Sequence, residues 1–481
     1  MTPPRLADLR TALAGLDPLP GELVRVREEV PARFGVSHRY AKWAGTPAPP
    51  PTGPGPAVLF ERVAPGAPDA EARAVLIGLY GTRRRAAALL GTTPAELPAR
   101  LLDAVAAPVP PVRIREERVP ERVALPPDLT ALPVPVLTDE DAGPYLTLGA
   151  VLATNPETGV RNLSVHRMCV QGPDLLSIWM VPGRDLEAAH LAAQRLGRPL
   201  PVAVHIGLAP AILLSSCCPT SLVPEKTDEL AVAGALGGAP VELSICRTVD
   251  AEYIAHAEYV LEGELLPGPV PENPEGPAAT PEFLGYQGRA HPGLPTVRVT
   301  GVTAREGAMF QTVSGPGHEQ SVLLGFGMEA AVLDVLRGRG APVAGVHCHT
   351  AGGGQLMLVV QWRAKRSAGE DAVVRAAGEA VLEQFRMVKL VVSVDEDVDV
   401  ESDADLWWAV VTRLQADRDI AVLPDRLGFP LDPTQSTAYS DTVSADGRTA
   451  KAHFDCTVPY AHRDRFRRPA FTAPEAAAPV P

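Results

Sequence analysis

One short run of this chain carries an amide, a hydroxyl, an imidazole and a guanidinium: Asn162, Ser164, His166 and Arg167, in NLSVHRMCV. LTLGAVLAT precedes it, and the NPETG between them is turn chemistry joining two alternating apolar runs, so a β-hairpin is predicted. Period two then places Asn162, Ser164 and His166 on one face and Leu163, Val165 and Arg167 on the other. An amide oxygen, a hydroxyl and a guanidinium this close together suit a metal-bound phosphate and a carboxylate. Polar side chains on a strand are ordinary in themselves, so the reading needs groups from elsewhere. Glu225, Ser215-Ser216 at the end of an apolar run, and the carboxylates Glu272, Glu275 and Glu282 of VPENPEGPAATPEFLGY supply them.

These groups need a large scaffold. At 481 residues, 46% hydrophobic and 21% charged, the chain has room for about three domains and a sizeable core. A formal charge of -13 argues against nucleic acid or an anionic membrane as partner and favours small-molecule chemistry. The 6 cysteines lack C-x-x-C spacing, as expected of a reduced, cytoplasmic protein. MTPPRLADLRTAL lacks the apolar core of a signal peptide, and no apolar run reaches the ~18 residues of a membrane span.

The patterns divide the chain into an α+β, α/β multidomain protein. An N-terminal α/β domain is expected over 1–110: a first helix from Pro4 to Leu16, the strands GELVRVREEV and AVLFERV, and the basic helix GTRRRAAALLG. Many short β runs with turn signals predict a barrel or open split barrel over 111–324, and a split β-barrel like that of flavin reductases is the expected form. RDLEAAHLAAQRLG and a stretch from Glu225 into ELAVAGALGG are expected to cover it as one-sided helices. Over 325–468 a crossover helix, MEAAVLDVLRGRG, leads into a C-terminal α/β domain. Residues 469–481 are Ala/Pro-rich and expected to be a disordered tail.

The chain also resembles the UbiD-type decarboxylases, in GELVRV, LFERV, YGTRRR, DAGPYLT, TGVRNLSVHRM, LPVAVHIG, VPEKTDELAVAGAL, PVELSICRTVD, AEYVLEGEL and VKLVVSVDEDVDV. The resemblance implies prenylated FMN, made by a partner flavin prenyltransferase, and reversible non-oxidative loss of CO₂ from an α,β-unsaturated or aromatic acid through a dipolar cycloaddition. It places Mn²⁺ (or Mg²⁺) on Asn162, Glu225 and a third ligand. Asp185 stands where the family has histidine, with Arg184 the other candidate. K⁺ or Na⁺ is a further expected ion. Thr147, Asn162, Ser164, Val165, His166, Arg167, Ser215, Ser216, Cys217 and Glu225 would line the cofactor, with Lys389 reaching its phosphate from the last domain, which would form a homodimer.

Decarboxylation leaves a carbanion that no side chain stabilises, so a cofactor must act as electron sink. The protein supplies an arginine for the carboxylate and an acid for protonation. By position these are Arg167, Glu282, and Glu275 as the better match to the family's first glutamate, with Glu272 as alternative. An Ala/Arg/Pro-rich composition adds the expectation of a natural-product enzyme acting on a polyketide acid to leave a terminal alkene. The rival readings are an FMN-dependent oxidoreductase on the same barrel, which would turn over NAD(P)H, and a non-catalytic flavin-binding protein.

Other motifs carry less. DEDVDVESD lacks the glycine and the bidentate glutamate of a calcium loop and reads as a strand end with an exposed acidic face. His347 and His349 share a strand face without a third ligand in reach. SGPGHEQ and GFG read as turns.

Overall fold

The computed structural model describes residues 8–44, 53–223 and 227–469. They fall into two compact units: Met1–Val335, Val346–Leu358 and Pro430–Thr434 in the first, Leu336–Gly345, Val359–Phe429 and Gln435–Pro481 in the second. Among the described residues no helix is long and apolar enough to cross a membrane.

The first unit begins with the helix Leu9–Leu16, capped by Asp8, whose carboxylate accepts the Thr11 N–H. The expected earlier start at Pro4 lies outside the described residues. The N-terminal sheet orders Leu23–Val26, Ala57–Ala64, Arg73–Ile77 and Met309–Gln311, with Val30–Pro31 paired to Ala57–Ala64. Its edge strand therefore comes from far beyond residue 110: Met309–Gln311 pairs in parallel with Arg73–Ile77.

The barrel is closed. Its strands run Tyr259–Val270, Leu200–Ile206, Tyr145–Thr154, Arg161–Val170, Leu175–Ile178 and Leu294–Arg305, and the last pairs back to the first. Closure removes the free edges that an open sheet would expose. Arg122–Leu125 adds to the outer edge of Leu294–Arg305. Val151, Ala153, Met168, Val202, Val204, Leu261, Val297 and Val299 fill the interior. Register shifts mark two tight places. One lies between Leu146 and Gly149, where a Cβ on Gly149 would meet Met168 Cε at 2.1 Å. The other is at Gly263, where a Cβ would stand 2.4 Å from the Arg298 carbonyl oxygen.

Two helices differ from the sequence reading. Glu229–Gly237 starts after Asp228, whose carboxylate accepts the Ala231 N–H, and ends on Gly238 in the left-handed conformation. It is buried all round, with Glu229 to Gly234 and Leu236 all inside, so it belongs to the core and not to a one-sided cover. The long helix His318–Gly338 starts at His318 and not at Met328, so the HEQ of SGPGHEQ is its first turn.

The remaining sheet is ordered Val343–Cys348, Met357–Trp362, Leu390–Asp395, Arg448–Asp455 and Ile420–Leu427, and its last three strands belong wholly to the second unit. The helix Gly369–Gln384 packs on it, and Asp403–Arg413 follows, as the sequence pattern expects. The acidic run is not simply exposed: Asp395 and Asp397 both receive the buried Arg413 guanidinium.

Candidate active site

The hairpin forms as its pattern predicts, with Tyr145–Thr154 antiparallel to Arg161–Val170. Alternation lines up Asn162, Ser164 and His166: Ser164 Oγ is 2.9 Å from Asn162 Oδ1 and 2.8 Å from His166 Nε2. His166 Nδ1 faces the Trp179 carbonyl at 2.9 Å, an acceptor that requires N–H there. Burial holds this imidazole neutral, with its pKa lowered to about 4. Nε2 is then an acceptor facing the Ser164 hydroxyl, whose hydrogen goes to Asn162 Oδ1, and that amide oxygen keeps a second lone pair for a cation.

The carboxylate that meets Asn162 is Glu229. Asn162 Nδ2 donates to Glu229 Oε1 at 3.2 Å, and the Leu163 N–H donates to Oε2 at 2.8 Å. Glu225 lies outside the described residues. Glu229 sits where the Asp228 cap begins its helix, and the TDELAVAGAL stretch contained that start signal. Burial raises the Glu229 pKa to about 7, with the Asp228 and Asp185 charges adding to the shift. Among the described residues no Lys, Arg or His pairs with it. Asp185 opens the helix Asp185–Arg195 and accepts the Thr220 hydroxyl at 2.7 Å, while Arg184 is exposed.

The donor set fits a hard divalent cation: the buried Glu229 carboxylate lies against the Asn162 amide, the Asp185 charge acts on it, and among the described residues no side chain neutralises it. No group of three or more His, Cys, Asp or Glu side chains suited to a metal occurs among the described residues. His347 and His349 are buried at 5.9 Å between ring centroids, and His347 Nδ1 lies 3.5 Å from Glu329, which also holds Arg83 at 2.7 Å.

Arg167, on the opposite strand face, gathers two acids. Its Nη1 donates to Glu282 Oε1 at 2.7 Å and its Nη2 to Glu272 Oε2 at 3.3 Å, with Nε 3.3 Å from Glu272 Oε1 but poorly aligned for a hydrogen bond. Burial opposes the guanidinium charge, but Glu282 and Glu272 outweigh it and raise the Arg167 pKa above its ordinary value. Glu275, the expected match to the family's first acid, is exposed with its backbone N–H on Asn273, and Glu272 is the acid that reaches Arg167 beside Glu282. The reason is local: the Asn273 side chain turns the loop, receiving the Glu275 and Gly276 N–H groups and donating to the Ala278 carbonyl.

Glu272 is fixed on several sides. Tyr145 Oη donates to its Oε1 at 3.1 Å, the His291 N–H to its Oε2 at 3.1 Å, and its backbone pairs with His291 and Gln171. Burial drives the Tyr145 pKa far up, so this phenol remains a donor. His291 and Trp179, which sequence reasoning passed over, stack at 4.0 Å beside this cluster.

The remaining expected residues scatter. Thr147 Oγ1 contacts Thr312 Oγ1 at 2.9 Å and accepts the Val313 N–H, and Val165 is half-buried opposite Ala150. Ser215 is fully buried, Ser216 Oγ donates to the Leu213 carbonyl, and burial pushes the Cys217 thiol up to about 12, far from a nucleophilic thiolate. Lys389 belongs to the second unit, directly before the strand Leu390–Asp395.

Three family descriptions tile this chain: the 3-octaprenyl-4-hydroxybenzoate carboxy-lyase N-terminal domain over 19–105, its Rift-related domain over 112–318, and its C-terminal domain over 321–456. The chain belongs to the UbiD family. It is 34% identical over 480 residues to the gallate decarboxylase of Lactiplantibacillus plantarum, covering 96% of each chain. The apo 3,4-dihydroxybenzoic acid decarboxylase of Enterobacter cloacae superposes with a TM-score of 0.90 at 37% identity, over 98% of each chain. HmfF of Pelotomaculum thermopropionicum, solved in complex with FMN, matches with a TM-score of 0.82 at 35% identity, over 97% of this chain and 98% of that one. This UbiD-family protein is a carboxy-lyase, a decarboxylase by chemistry.

Proposed function

We propose that this protein is a prenylated-FMN-dependent, non-oxidative and reversible decarboxylase of an aromatic, hydroxylated carboxylic acid. The observation that carries the reading is the Arg167, Glu272 and Glu282 cluster, one guanidinium shared by two carboxylates of unlike freedom. Glu272 is 1% exposed and held by Tyr145 and His291, whereas Glu282 is 19% exposed and its carboxylate bonds Arg167. A substrate carboxylate takes the place of Glu282 on Arg167, since Glu282 has fewer contacts to give up. Glu282, released and protonated from solvent, then delivers a proton to the carbon that CO₂ leaves. Glu272 keeps Arg167 aimed throughout.

The bound cofactor supplies the electron sink for the carbanion. Asn162, Glu229 and Asp185 would hold Mn²⁺ or Mg²⁺ beside its phosphate, and Ser164, His166, Thr147, Val165 and Ser215 to Cys217 would line it. The aromatic substrate class is favoured by the gallate and 3,4-dihydroxybenzoic acid relatives, whereas the polyketide acid rests on composition alone. The C-terminal domain is the proposed dimer contact, and a flavin prenyltransferase the proposed source of cofactor.

The test is coexpression with a flavin prenyltransferase, followed by the absorption spectrum and mass of the bound cofactor. The loaded protein is then assayed on 3,4-dihydroxybenzoate, gallate and an alkenyl acid. CO₂ release from the aromatic acids alone is expected. Release from the alkenyl acid alone overturns the substrate class, and full activity without any flavin overturns the whole reading.

A further inference from the structure

Three fully buried polar side chains have hydrogen-bonding atoms with no partner among the described residues: Tyr80 Oη, both amide atoms of Gln311, and Ser215 Oγ. Tyr80 and Ser215 are 0% exposed and Gln311 is 1% exposed. A buried donor or acceptor left unmatched loses its water without compensation, so native proteins keep few of them and each needs a reason. Here two of the three are neighbours, because the Tyr80 hydroxyl lies beside the Gln311 amide without good hydrogen-bond geometry. Cys217, two residues on from Ser215, acts electrostatically on the same hydroxyl.

Different segments bring them there. Tyr80 follows the turn at Gly78, whose positive φ of 82° suits glycine, and the Gly78 and Tyr80 N–H groups are anchored on the Glu319 carboxylate at 2.7 and 3.0 Å. Gln311 ends the strand Met309–Gln311, and its neighbour Thr312 makes the 2.9 Å hydroxyl contact with Thr147. The backbone under both side chains is therefore rigid, and the polar atoms are held in place while unsatisfied. Such an arrangement suits a ligand that arrives already carrying matching groups.

An amide side chain offers one N–H donor edge and one carbonyl acceptor, the complement of an imide, O=C–N–H–C=O. A phenol beside it adds a donor for the second carbonyl. We propose that Gln311 and Tyr80 are further cofactor-binding residues, which take the imide edge of the isoalloxazine ring of a flavin. This rests on the flavin dependence proposed above. No bond is made or broken by either residue; they orient the ring.

The experiment titrates the purified full chain with FMN and follows flavin fluorescence quenching, with thermal unfolding of the flavin-free protein measured in parallel. Tyr80→Phe removes a single oxygen, and Gln311→Met keeps the side-chain length while removing both polar atoms. The expected result is FMN affinity weakened about 5-fold in Tyr80→Phe and about 10-fold or more in Gln311→Met, the scale of one or two ordinary hydrogen bonds. The flavin-free variants should unfold at the wild-type temperature or above it, since an unmatched buried group has been removed. Affinities equal to wild type overturn the inference and leave buried water as the partner of these atoms. Weaker FMN binding accompanied by a lower unfolding temperature of both flavin-free variants also overturns it, because the role is then structural. Absence of FMN binding by the wild-type chain overturns the flavin reading itself, and this inference falls with it.

Discussion

Arg167 divides one guanidinium between two carboxylates, donating to Glu282 through Nη1 and to Glu272 through Nη2. Glu282→Gln keeps shape but cannot donate, and turnover of the loaded enzyme should fall by about 10²–10⁴-fold, the usual share of a positioned general acid. Glu275→Gln should leave turnover at the wild-type level, whereas Glu272→Gln should lower it while bound flavin stays unchanged in the absorption spectrum. Equal effects of the Glu272 and Glu275 substitutions would sink the assignment of Glu272. Elsewhere, His205 is fully buried, with Nδ1 on the Ala150 carbonyl at 3.1 Å and Nε2 accepting the Ile254 N–H at 3.0 Å. Burial lowers its pKa from 6.5 to about 3. The folded state therefore binds its proton more weakly than the unfolded chain, so its stabilising contribution is complete above pH 6.5 and is lost as pH falls towards 3. The loss is roughly 1.4 kcal/mol per pH unit across that window. Urea unfolding at pH 7 and pH 5 measures it, and His205→Gln should reduce the difference by this share, leaving that of other buried histidines such as His166.

The helix Glu229–Gly237 sets the position of Glu229 against the hairpin, and its own seat is tight. A Cβ on Gly234 would stand 2.5 Å from the Val109 carbonyl oxygen, a backbone atom that cannot swing away. Gly234→Val should shift the helix, cost about 1–3 kcal/mol of stability, and weaken Mn²⁺ retention by the loaded protein as measured by metal analysis after dialysis. Unaltered metal content in a destabilised variant would show that Glu229 is not held through this helix. At this scale the hairpin, most helices and the order of the short strands were legible, because period two and period 3.6 are local properties. The start of Glu229–Gly237 was missed because DELAVAGAL is apolar all round and offers no face. HEQ was missed because the glycines and the proline ahead of it mask the helix start.

The whole chain has a formal charge of -13, and among the described residues the large apolar side chains that are exposed are mostly far apart in sequence. One exception is in the second unit, where the helix Asp403–Arg413 shows Trp407 at 60% and Val411 at 77% exposure, one turn apart on a single face. With a C-terminal homodimer proposed, this face is its expected contact. Trp407→Asp combined with Val411→Asp should convert the dimer to monomer in analytical ultracentrifugation while leaving the unfolding temperature within a few degrees. A wild-type chain that sediments as a monomer would remove the dimer, and a double variant that stays dimeric would move the contact elsewhere.

By itself the amino-acid order determined which residue types can act and roughly where they fall: Asn162, Ser164, His166 and Arg167 on opposite faces of one strand, with acids in the 272–282 loop. Only the tertiary structure decided that Glu272, and not Glu275, reaches Arg167, that Glu229 meets Asn162, and that the sheet shuts into a ring. The physical reason is common to all three. Loop conformation and strand closure depend on hydrogen bonds between residues far apart in the chain, and no local periodicity records them.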